Sequence, residues 1–443
     1  MDPLALSLAD VSLLLREGRL TSLALTRLCL ERIAALDARL NAFITLTADS
    51  ALREAAEADR LISSGNYLGP LHGVPVALKD LIDVAGVRTT AASRVLADNV
   101  ATADAPVVTR LRRAGAVLLG KLNLHEFAYG GSGMVSAFGP AINPLDPART
   151  TGGSSSGSAT AVAAHMCFAA LGTDTAGSIR VPAACCGLVG FKPTWGAVST
   201  EGVIPLSGSY DHVGPITRTV EDARLVFEAI AEAPPTVSAA PRDLARGITL
   251  GVASEFFFED MDQATSNAIG DDMAKLKDVG KIEVVKVPVD TDRALASSEA
   301  FAYHRHFLGE SAELYDERTL TRIMSGKDVP GEAVSEARAR LREMRAKAGV
   351  IFTHVDAVLT PTMPCVPPAV GALEDPASLR PLELRMLRNT RPFNVLGWPT
   401  ITIPGTPVSE HLRVGIQLAG APGRDLELLA LAQRVEAALR NAQ

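Results

Sequence analysis

Residues 150–192 read TTGGSSSGSATAVAAHMCFAALGTDTAGSIRVPAACCGLVGFK, and this stretch is the most informative about function. It holds a Gly/Ser loop at 152–158, an apolar run at 159–171 and a second small-residue turn at 173–178. Such loops let backbone N–H groups approach a ligand closely, because glycine has no Cβ and tolerates positive φ. The apolar run has the length of a helix, so we expect the two loops to meet at one site.

Helical and strand-like patterns alternate on both sides of this stretch. Ser7 and Thr21 each precede a segment with helical spacing of Leu, Ile and Ala, as helix caps do. Apolar strand patterns follow, in the order NAFITL (41–46), VPVALK (74–79), AVLLG (116–120), ITLGVAS (248–254) and TITIPG (400–405). The alternation predicts an α/β fold whose sheet is covered on both faces. A Pro-rich connection near Pro234 is a candidate boundary.

The composition is that of a globular protein with a large core. Of the 443 residues 47% are apolar and 21% charged, and the formal charge of -7 is spread along the chain. Nucleic acid is not an expected partner, because phosphates require a clustered basic surface. The apolar runs are too short to span a bilayer, and no basic region precedes the first of them. The five cysteines have no metal or disulfide spacing, so we expect a reduced, cytoplasmic protein.

The first loop partly matches two known motifs, one for a nucleophilic serine and one for phosphate binding. Gly153 to Gly157 fits G-x-S-x-G, which would make Ser155 the nucleophile of an α/β-hydrolase. That fold needs a strand directly before the loop, and LDPARTT has no strand pattern. A phosphate-binding loop would need lysine at the position of Ser158.

The second turn has the composition of an oxyanion hole. Thr175, Ala176, Gly177 and Ser178 would bring several backbone N–H groups beside a serine hydroxyl, which is the main electrostatic aid to acyl transfer. The residues that flank the turn, Asp174 and Arg180, have opposite charges and can pair across its base. The alternative interpretation is a polar turn at a strand end.

A serine nucleophile also needs a base. No histidine lies in a sequence context that indicates a catalytic base. His304 and His306 form H-x-H, but side chains two residues apart on a helix point in different directions, so we expect no metal site. Burial lowers the pKa of a lysine toward that of a useful base. Lys79, Lys121 and Lys192 all lie near strand ends, and their spacing does not choose among them.

Long motifs in the expected order resemble the amidase signature hydrolases. They are GVPVALKDLIDVAG (73–86), GKLNLHEFAYG (120–130), GGSSSGSA (152–159), GTDTAGSIRVPAACCGLVGFKPT (172–194), GPITRTVEDA (214–223), LTPTMP (359–364) and PFNVLGWPTITIPG (392–405). The resemblance covers nearly the whole chain. It implies one α/β/α domain over residues 1–443, with a large mixed β-sheet between helices and a helical substrate lid at about 294–344.

The resemblance also assigns roles to individual residues. Ser178 would be the nucleophile, Ser154 the proton relay, preceded by a cis peptide bond, and Lys79 the general base. Further roles fall on the oxyanion donors Thr175, Ala176, Gly177 and Ser178, on the pocket residues Tyr129, Gly130 and Gly131, and on the supporting pair Asp174 and Arg180. No cofactor is implied.

Two positions depart from the common family pattern and leave the substrate open. Ser156 and Ala176 replace glycines, as in relatives that cleave urea-like or carbamoyl compounds. We therefore expect a small amide, carbamate or urea-like substrate. One alternative is the glutaminase subunit of a tRNA-dependent amidotransferase, for which Arg391 is a candidate carboxylate ligand, and another is a catalytically silent amide-binding protein. A homodimer is the usual expectation for an enzyme of this size.

Overall fold

The computed structural model describes residues 2–232 and 247–441, so the Pro-rich connection near Pro234 lies outside the described residues. The helices are α1 (Leu8–Arg16), α2 (Ser22–Leu40), α3 (Ala48–Ser63), α4 (Pro106–Arg113), α5 (Ser156–Ala163), α6 (Arg180–Cys185), α7 (Val220–Ile230), α8 (Gln263–Leu276), α9 (Ala294–His304), α10 (Glu317–Met324), α11 (Gly331–Lys347), α12 (Val370–Glu374), α13 (Pro376–Met386), α14 (Arg391–Leu396) and α15 (Asp425–Asn441). Short 3-10 helices lie at Pro3–Ala5, Arg94–Leu96, Glu126–Ala128, Ala312–Leu314 and Ala348–Thr353.

The first two helices begin where the sequence predicts. The Ser7 hydroxyl accepts a hydrogen bond from the backbone N–H of Asp10, whose carboxylate in turn accepts one from the backbone of Ser7. Thr21 caps α2 in the same way through the N–H of Ala24. These side chains satisfy N–H groups that the first helical turn leaves without a partner.

The described residues contain eleven strands, which form one mixed sheet. The strands are β1 (Phe43–Leu46), β2 (Pro75–Lys79), β3 (Val117–Leu122), β4 (Ala169–Thr173), β5 (Val189–Lys192), β6 (Val213–Thr217), β7 (Ile248–Val252), β8 (Gly280–Val284), β9 (Ala357–Pro361), β10 (Thr400–Pro407) and β11 (Arg413–Ala419). Their order is β1-β3-β2-β4-β6-β5-β10-β11-β9-β7-β8. β2 is parallel to both β3 and β4, and β7 is parallel to β8 and β9; the other pairs are antiparallel.

Both faces of the central strands are covered. Every residue of β2, β3, β4, β5, β6 and β9 is buried. A strand that is buried throughout reads as a continuous apolar run, because its side chains alternate between two covered faces. The prediction of an α/β protein with a large mixed sheet and covering helices is confirmed.

The apolar run at 159–171 corrects one expectation, since it is not a single helix. α5 ends at Ala163, His165 has a left-handed φ of 57°, and the chain then enters β4. β4 lies between β2 and β6, where its apolar residues are buried on both faces. The first loop therefore precedes a helix, and the second turn follows a strand.

Residues 294–344 are largely helical. The segment 294–344 contains α9, α10 and most of α11, and both α10 and α11 pack against α9. α11 also contacts α14. Within 2–232 and 247–441, no helix is long and apolar enough to cross a membrane.

Candidate active site

Two neighbouring parallel strands bring the first site residues together. β2 ends at Lys79 and β4 ends at Thr173, and the carboxyl ends of parallel strands meet at one edge of a sheet. The Lys79 Nζ donates hydrogen bonds of 2.7 Å to the hydroxyls of both Thr173 and Ser154. Lys79 and Ser154 are fully buried. The first Gly/Ser loop thus lies directly against the end of β2.

Burial lowers the pKa of Lys79 to about 7, although the negative charges of Asp174 and Asp211 act in the opposite direction. Desolvation has this effect because a low-dielectric surrounding disfavours the ammonium form. A large fraction of the amine is therefore neutral near pH 7. A neutral amine can accept a proton from a hydroxyl within hydrogen-bond distance.

The backbone around Ser154 is held by the chain at 125–131. The Gly153–Ser154 peptide bond is cis, as the family resemblance implies. The Ser154 carbonyl accepts a hydrogen bond of 3.0 Å from the N–H of His125, and the Gly153 N–H donates one of 2.7 Å to the Gly131 carbonyl. Gly131 therefore supports the first loop through its backbone.

The buried pair Asp174 and Arg180 forms the base of the second turn. The Arg180 guanidinium donates to both carboxylate oxygens, at 3.0 and 2.9 Å. Burial alone would raise the pKa of Asp174, but the charge and hydrogen bonds of Arg180, with a hydrogen bond from Asn394, hold that pKa below its ordinary value. The N–H of Ile179 also donates to this carboxylate, at 3.1 Å. Asp174 is thus a permanent anion that shapes the turn.

The turn differs from expectation at one oxyanion donor. The Gly177 N–H donates at 2.7 Å to the Asp174 carboxylate, so it is already engaged. The N–H groups of Thr175, Ala176 and Ser178 have no acceptor within the described residues. Gly177 has a φ of +139° and packs so tightly that a Cβ there would overlap a threonine hydroxyl. Three of the four N–H groups, rather than all four, are thus without a protein acceptor within the described residues.

The two loops meet beside a cavity of about 190 Å³. The Ser155 N–H donates at 3.3 Å to the Ser178 carbonyl, which joins the loops directly. The predicted residues that line the cavity are Tyr129, Gly130, Thr175, Ala176 and Ser178, whereas Gly131 does not line it. Other parts of the chain contribute Ala128, Leu206, Tyr210, Arg293, Ala296, Ser297, Arg322, Ser325, Arg380, Leu387 and Arg391.

The comparisons with known proteins agree with this geometry. Residues 24–429 match the family described as Amidase. The chain belongs to the Amidase family. It is 35% identical to 2-amino-5-chloromuconic acid deaminase of Comamonas testosteroni, over 99% of this chain and 97% of that relative. It is also 36% identical to one of the subunits of glutamyl-tRNA(Gln) amidotransferase from Moorella thermoacetica, over 96% of this chain and 95% of that relative.

A solved structure supports the same assignment. The fold of this amidase matches a crystal structure described as an amidase with a TM-score of 0.88 and 34% sequence identity, covering 98% of this chain and all of the other. The family and its relatives establish a hydrolase that acts on carbon–nitrogen bonds. The predictions of the family, of the fold and of the enzyme class are confirmed.

The other two lysine candidates of this amidase are engaged elsewhere. The Lys121 Nζ donates at 2.7 Å to the Asp80 carboxylate in a buried ion pair. The Lys192 Nζ donates at 2.6 Å to the Trp398 carbonyl. Of the three, Lys79 bonds to a serine of the Gly/Ser loop.

Ser155 does not have the setting of an α/β-hydrolase nucleophile in this amidase. Its hydroxyl donates at 3.3 Å to the Thr173 carbonyl, and the side chain is fully buried. The residues that precede the loop form turns and not a strand, as the sequence indicates. Ser155 therefore joins the loop to the end of β4.

The H-x-H pair lies in α9 and just after it. The His304 Nδ1 is 2.9 Å from the Tyr315 hydroxyl, and burial lowers the pKa of His304 to about 3. Within 2–232 and 247–441, no group of three His, Cys, Asp or Glu side chains is placed to hold a metal ion.

Three residues outside the predicted site hold Arg180 from the other side. Its guanidinium donates at 2.9 Å to the Thr390 carbonyl, at 2.7 Å to Gln417 and at 2.6 Å to Asn394. Asn394 belongs to the PFNVLGWPT motif, so its position in a family motif was a usable signal. Thr390 and Gln417 have no local signal, because their importance depends on the pairing of β10 and β11 with the rest of the sheet.

Proposed function

We propose that this amidase hydrolyses a small carboxamide through an acyl-enzyme on Ser178, with Ser154 as proton relay and Lys79 as general base. The observation that carries the proposal is the 2.7 Å hydrogen bond between Lys79 Nζ and Ser154 Oγ, next to a cavity that Ser178 lines. A serine hydroxyl is a weak nucleophile until a base takes its proton. The lowered pKa of Lys79 makes it a suitable base near neutral pH.

The reaction divides into two balanced halves. Ser178 Oγ forms a bond to the amide carbon while its proton passes to Ser154, whose own proton passes to the neutral Lys79 amine. The N–H groups of Thr175, Ala176 and Ser178 hold the oxyanion. Collapse breaks the C–N bond, and the proton on Lys79 returns through Ser154 to the leaving nitrogen. Water then attacks the acyl carbon by the same relay and releases the carboxylic acid.

The test compares variants of the proposed relay with matched controls. Ser178→Ala should abolish amide hydrolysis, and a serine-reactive phosphonate should label the wild-type protein but not this variant. Ser155→Ala should still be labelled. Labelling of Ser178→Ala but not of Ser155→Ala would contradict the assignment and restore the α/β-hydrolase alternative. Absence of any label on the folded wild-type protein would favour a silent amide-binding protein.

The choice of base has its own matched pair. Lys79→Met and Lys121→Met each remove one buried lysine amine, and circular dichroism identifies the variants that fold. We expect Lys79→Met to lose at least 10²-fold in kcat/KM, the lower end of what a general base contributes, and Lys121→Met to lose less. Equal losses in the two folded variants would show that the base is misassigned.

We also propose that residues 1–443 form one domain whose segment 294–344 is a substrate lid. Ser297 of α9, Arg322 of α10 and Ser325 line the cavity together with Ser178, which supports the lid role. The Arg322 guanidinium donates at 2.5 Å to the Tyr129 carbonyl, so the lid is bonded to the pocket loop. Substitutions in α9 should change the order of substrate preference more than the rate on any single amide.

A second candidate function is the glutaminase subunit of a tRNA-dependent amidotransferase. The relative from Moorella thermoacetica is part of such an amidotransferase, and Arg391 lies in the cavity. Ammonia release from glutamine, or co-purification with partner chains, would favour this function over a free-standing amidase. A panel of primary amides, anilides, carbamates and ureas, with ammonia and amine measured separately, distinguishes the substrate alternatives.

Two further properties follow as proposals. The cysteines Cys29, Cys167, Cys185, Cys186 and Cys365 are all buried free thiols, which supports a reducing, cytoplasmic environment. We expect a homodimer, which a mass measurement in solution would test.

A further inference from the structure

The cavity beside Ser178 has an unusual charge. Four of its lining residues are arginines, namely Arg293, Arg322, Arg380 and Arg391, and none of the described lining residues is Asp or Glu. A guanidinium remains charged at any physiological pH and is costly to bury without a counter-charge. The four groups therefore need either partners in the protein or a ligand.

One buried carboxylate serves two of the four arginines. Arg322 pairs with Glu383 at 2.8 Å, and both side chains are almost completely buried. The Arg380 guanidinium lies 3.5 Å from the same Glu383 oxygen. Glu383 also accepts a hydrogen bond from Ser132 at 2.7 Å. This carboxylate is thus fully used.

The Arg391 guanidinium bonds to the backbone rather than to a carboxylate. It donates to the backbone carbonyls of Asp290 and Asp292. The carboxylates of those two residues instead pair with Arg340 on α11. The Asp290 and Asp292 carboxylates still act on Arg391 through their charge, but the ion pairs that they form are with Arg340.

The Arg293 side chain is half-buried, and within the described residues it makes no hydrogen bond and no ion pair. Only its backbone carbonyl is engaged in that part of the chain, by the N–H of Ser297 at 2.9 Å. Burial, together with the positive charges of Arg391 and Arg380, lowers the pKa of Arg293 to about 10. Arg293, Arg380 and Arg391 all line this one cavity.

We infer that the substrate of this amidase carries a carboxylate in addition to its scissile amide, and that Arg293 is the residue that selects it. The inference rests on the proposed function. The Arg293 side chain is unpaired in the cavity that Ser178 lines, and the Arg391 guanidinium, which bonds to backbone carbonyls, lines the same cavity. A guanidinium binds a planar carboxylate through two parallel hydrogen bonds, which gives selectivity as well as affinity. A neutral amide of the same shape would leave the charge of Arg293 without a partner.

The test measures binding to Ser178→Ala protein, so that turnover does not consume the ligand. The acyl-side probes are the monoamides of malonic, succinic and glutaric acid, each paired with the neutral amide in which an isopropyl group replaces the carboxylate. N-acetylglycine and N-isobutylacetamide form the corresponding amine-side pair. Calorimetry should show that at least one anion binds 10-fold to 100-fold more tightly than its neutral partner, about the range of one charge-assisted hydrogen-bonded contact.

The residue assignment uses a matched pair of arginine variants in the same Ser178→Ala background. Arg293→Gln should lower the affinity for the preferred anion by about 10-fold to 100-fold. Arg305→Gln removes an exposed arginine just after α9 and should leave that affinity unchanged. Thermal unfolding confirms that both variants fold. Equal binding of anions and neutral partners, absence of anion binding, or equal effects of the two substitutions would overturn the inference.

Failure of this inference is distinguishable from failure of the proposed function. Hydrolysis of neutral amides by the wild-type protein without anion preference would overturn the inference and keep the proposed function. Selective anion binding without phosphonate labelling or hydrolysis by the wild-type protein would overturn the proposed function and keep the carboxylate site.

Discussion

Substitution of Lys79 by methionine should make the free energy of unfolding less dependent on pH between the folded-state and unfolded-state pKa values of this lysine. Burial lowers the pKa of this lysine from 10.5 in the unfolded chain to about 7 in the folded protein. Between these values the unfolded state binds more protons than the folded state, so stability rises with pH. Below pH 7 both states are protonated, and the folded state bears the full cost of the buried ammonium, ~5 kcal/mol.

The expected difference follows from the same two pKa values. From pH 7 to pH 9, the free energy of unfolding of the wild-type protein should rise by ~2 kcal/mol relative to that of Lys79→Met. Urea unfolding followed by circular dichroism at pH 7, 8 and 9 gives both curves. Lys277→Met is the control, because it removes an exposed lysine at the end of α8.

Parallel pH dependence in the wild-type protein and Lys79→Met would contradict a lowered pKa of Lys79. It would mean that the amine keeps its ordinary affinity for protons despite its burial, and so is not neutral near pH 7. The proposed role of Lys79 as base would then lose its physical support. A difference as large in Lys277→Met would instead assign the effect to overall charge.

Three further outcomes are expected. The kcat/KM of amide hydrolysis should fall ~50-fold from pH 7 to pH 5 as Lys79 becomes protonated, and a flat profile over that range would contradict a lysine base. Gly177→Ala should lower both kcat and the melting temperature, because its Cβ would overlap a side-chain hydroxyl at a φ of +139°, whereas Gly196→Ala, at positive φ with open space around it, should leave kcat unchanged. Arg180→Met should destabilise the fold by ~3–5 kcal/mol in urea unfolding, because it leaves the Asp174 carboxylate buried without its ion pair; a loss below ~1 kcal/mol would contradict a buried anion.

Local patterns were sufficient for much of the fold and for part of the site. The caps of the first two helices, the apolar strands and the Asp174–Arg180 pair all depend on residues close in sequence. The choice among Lys79, Lys121 and Lys192 is different, because each lies near a strand end. It depends on which strands are neighbours, and the pairing of β2 with β4 is a long-range property. The family resemblance, and not spacing, distinguished Lys79 from the other two lysines.

The features that the sequence did not predict also depend on contacts between residues distant in sequence. The engaged N–H of Gly177 depends on how the Asp174 carboxylate turns back over the loop, which composition does not reveal. The break of the apolar run after Ala163 depends on the place of β4 between two other strands. Arg293 has no motif around it, and its relevance depends on the cavity that it shares with Ser178.

The bonds of Arg180 to Asn394 and Gln417 have a consequence for synthesis of the protein. The chain leaves the ribosome from its N-terminus, so Lys79, Ser154 and Ser178 emerge long before these two partners. A nascent chain therefore carries every proposed reacting group before the hydrogen bonds that hold Arg180 beneath the second turn are complete. Hydrolysis should begin only after Asn394 and Gln417 have emerged, and a product that terminates before Asn394 should be silent although its reacting groups are intact.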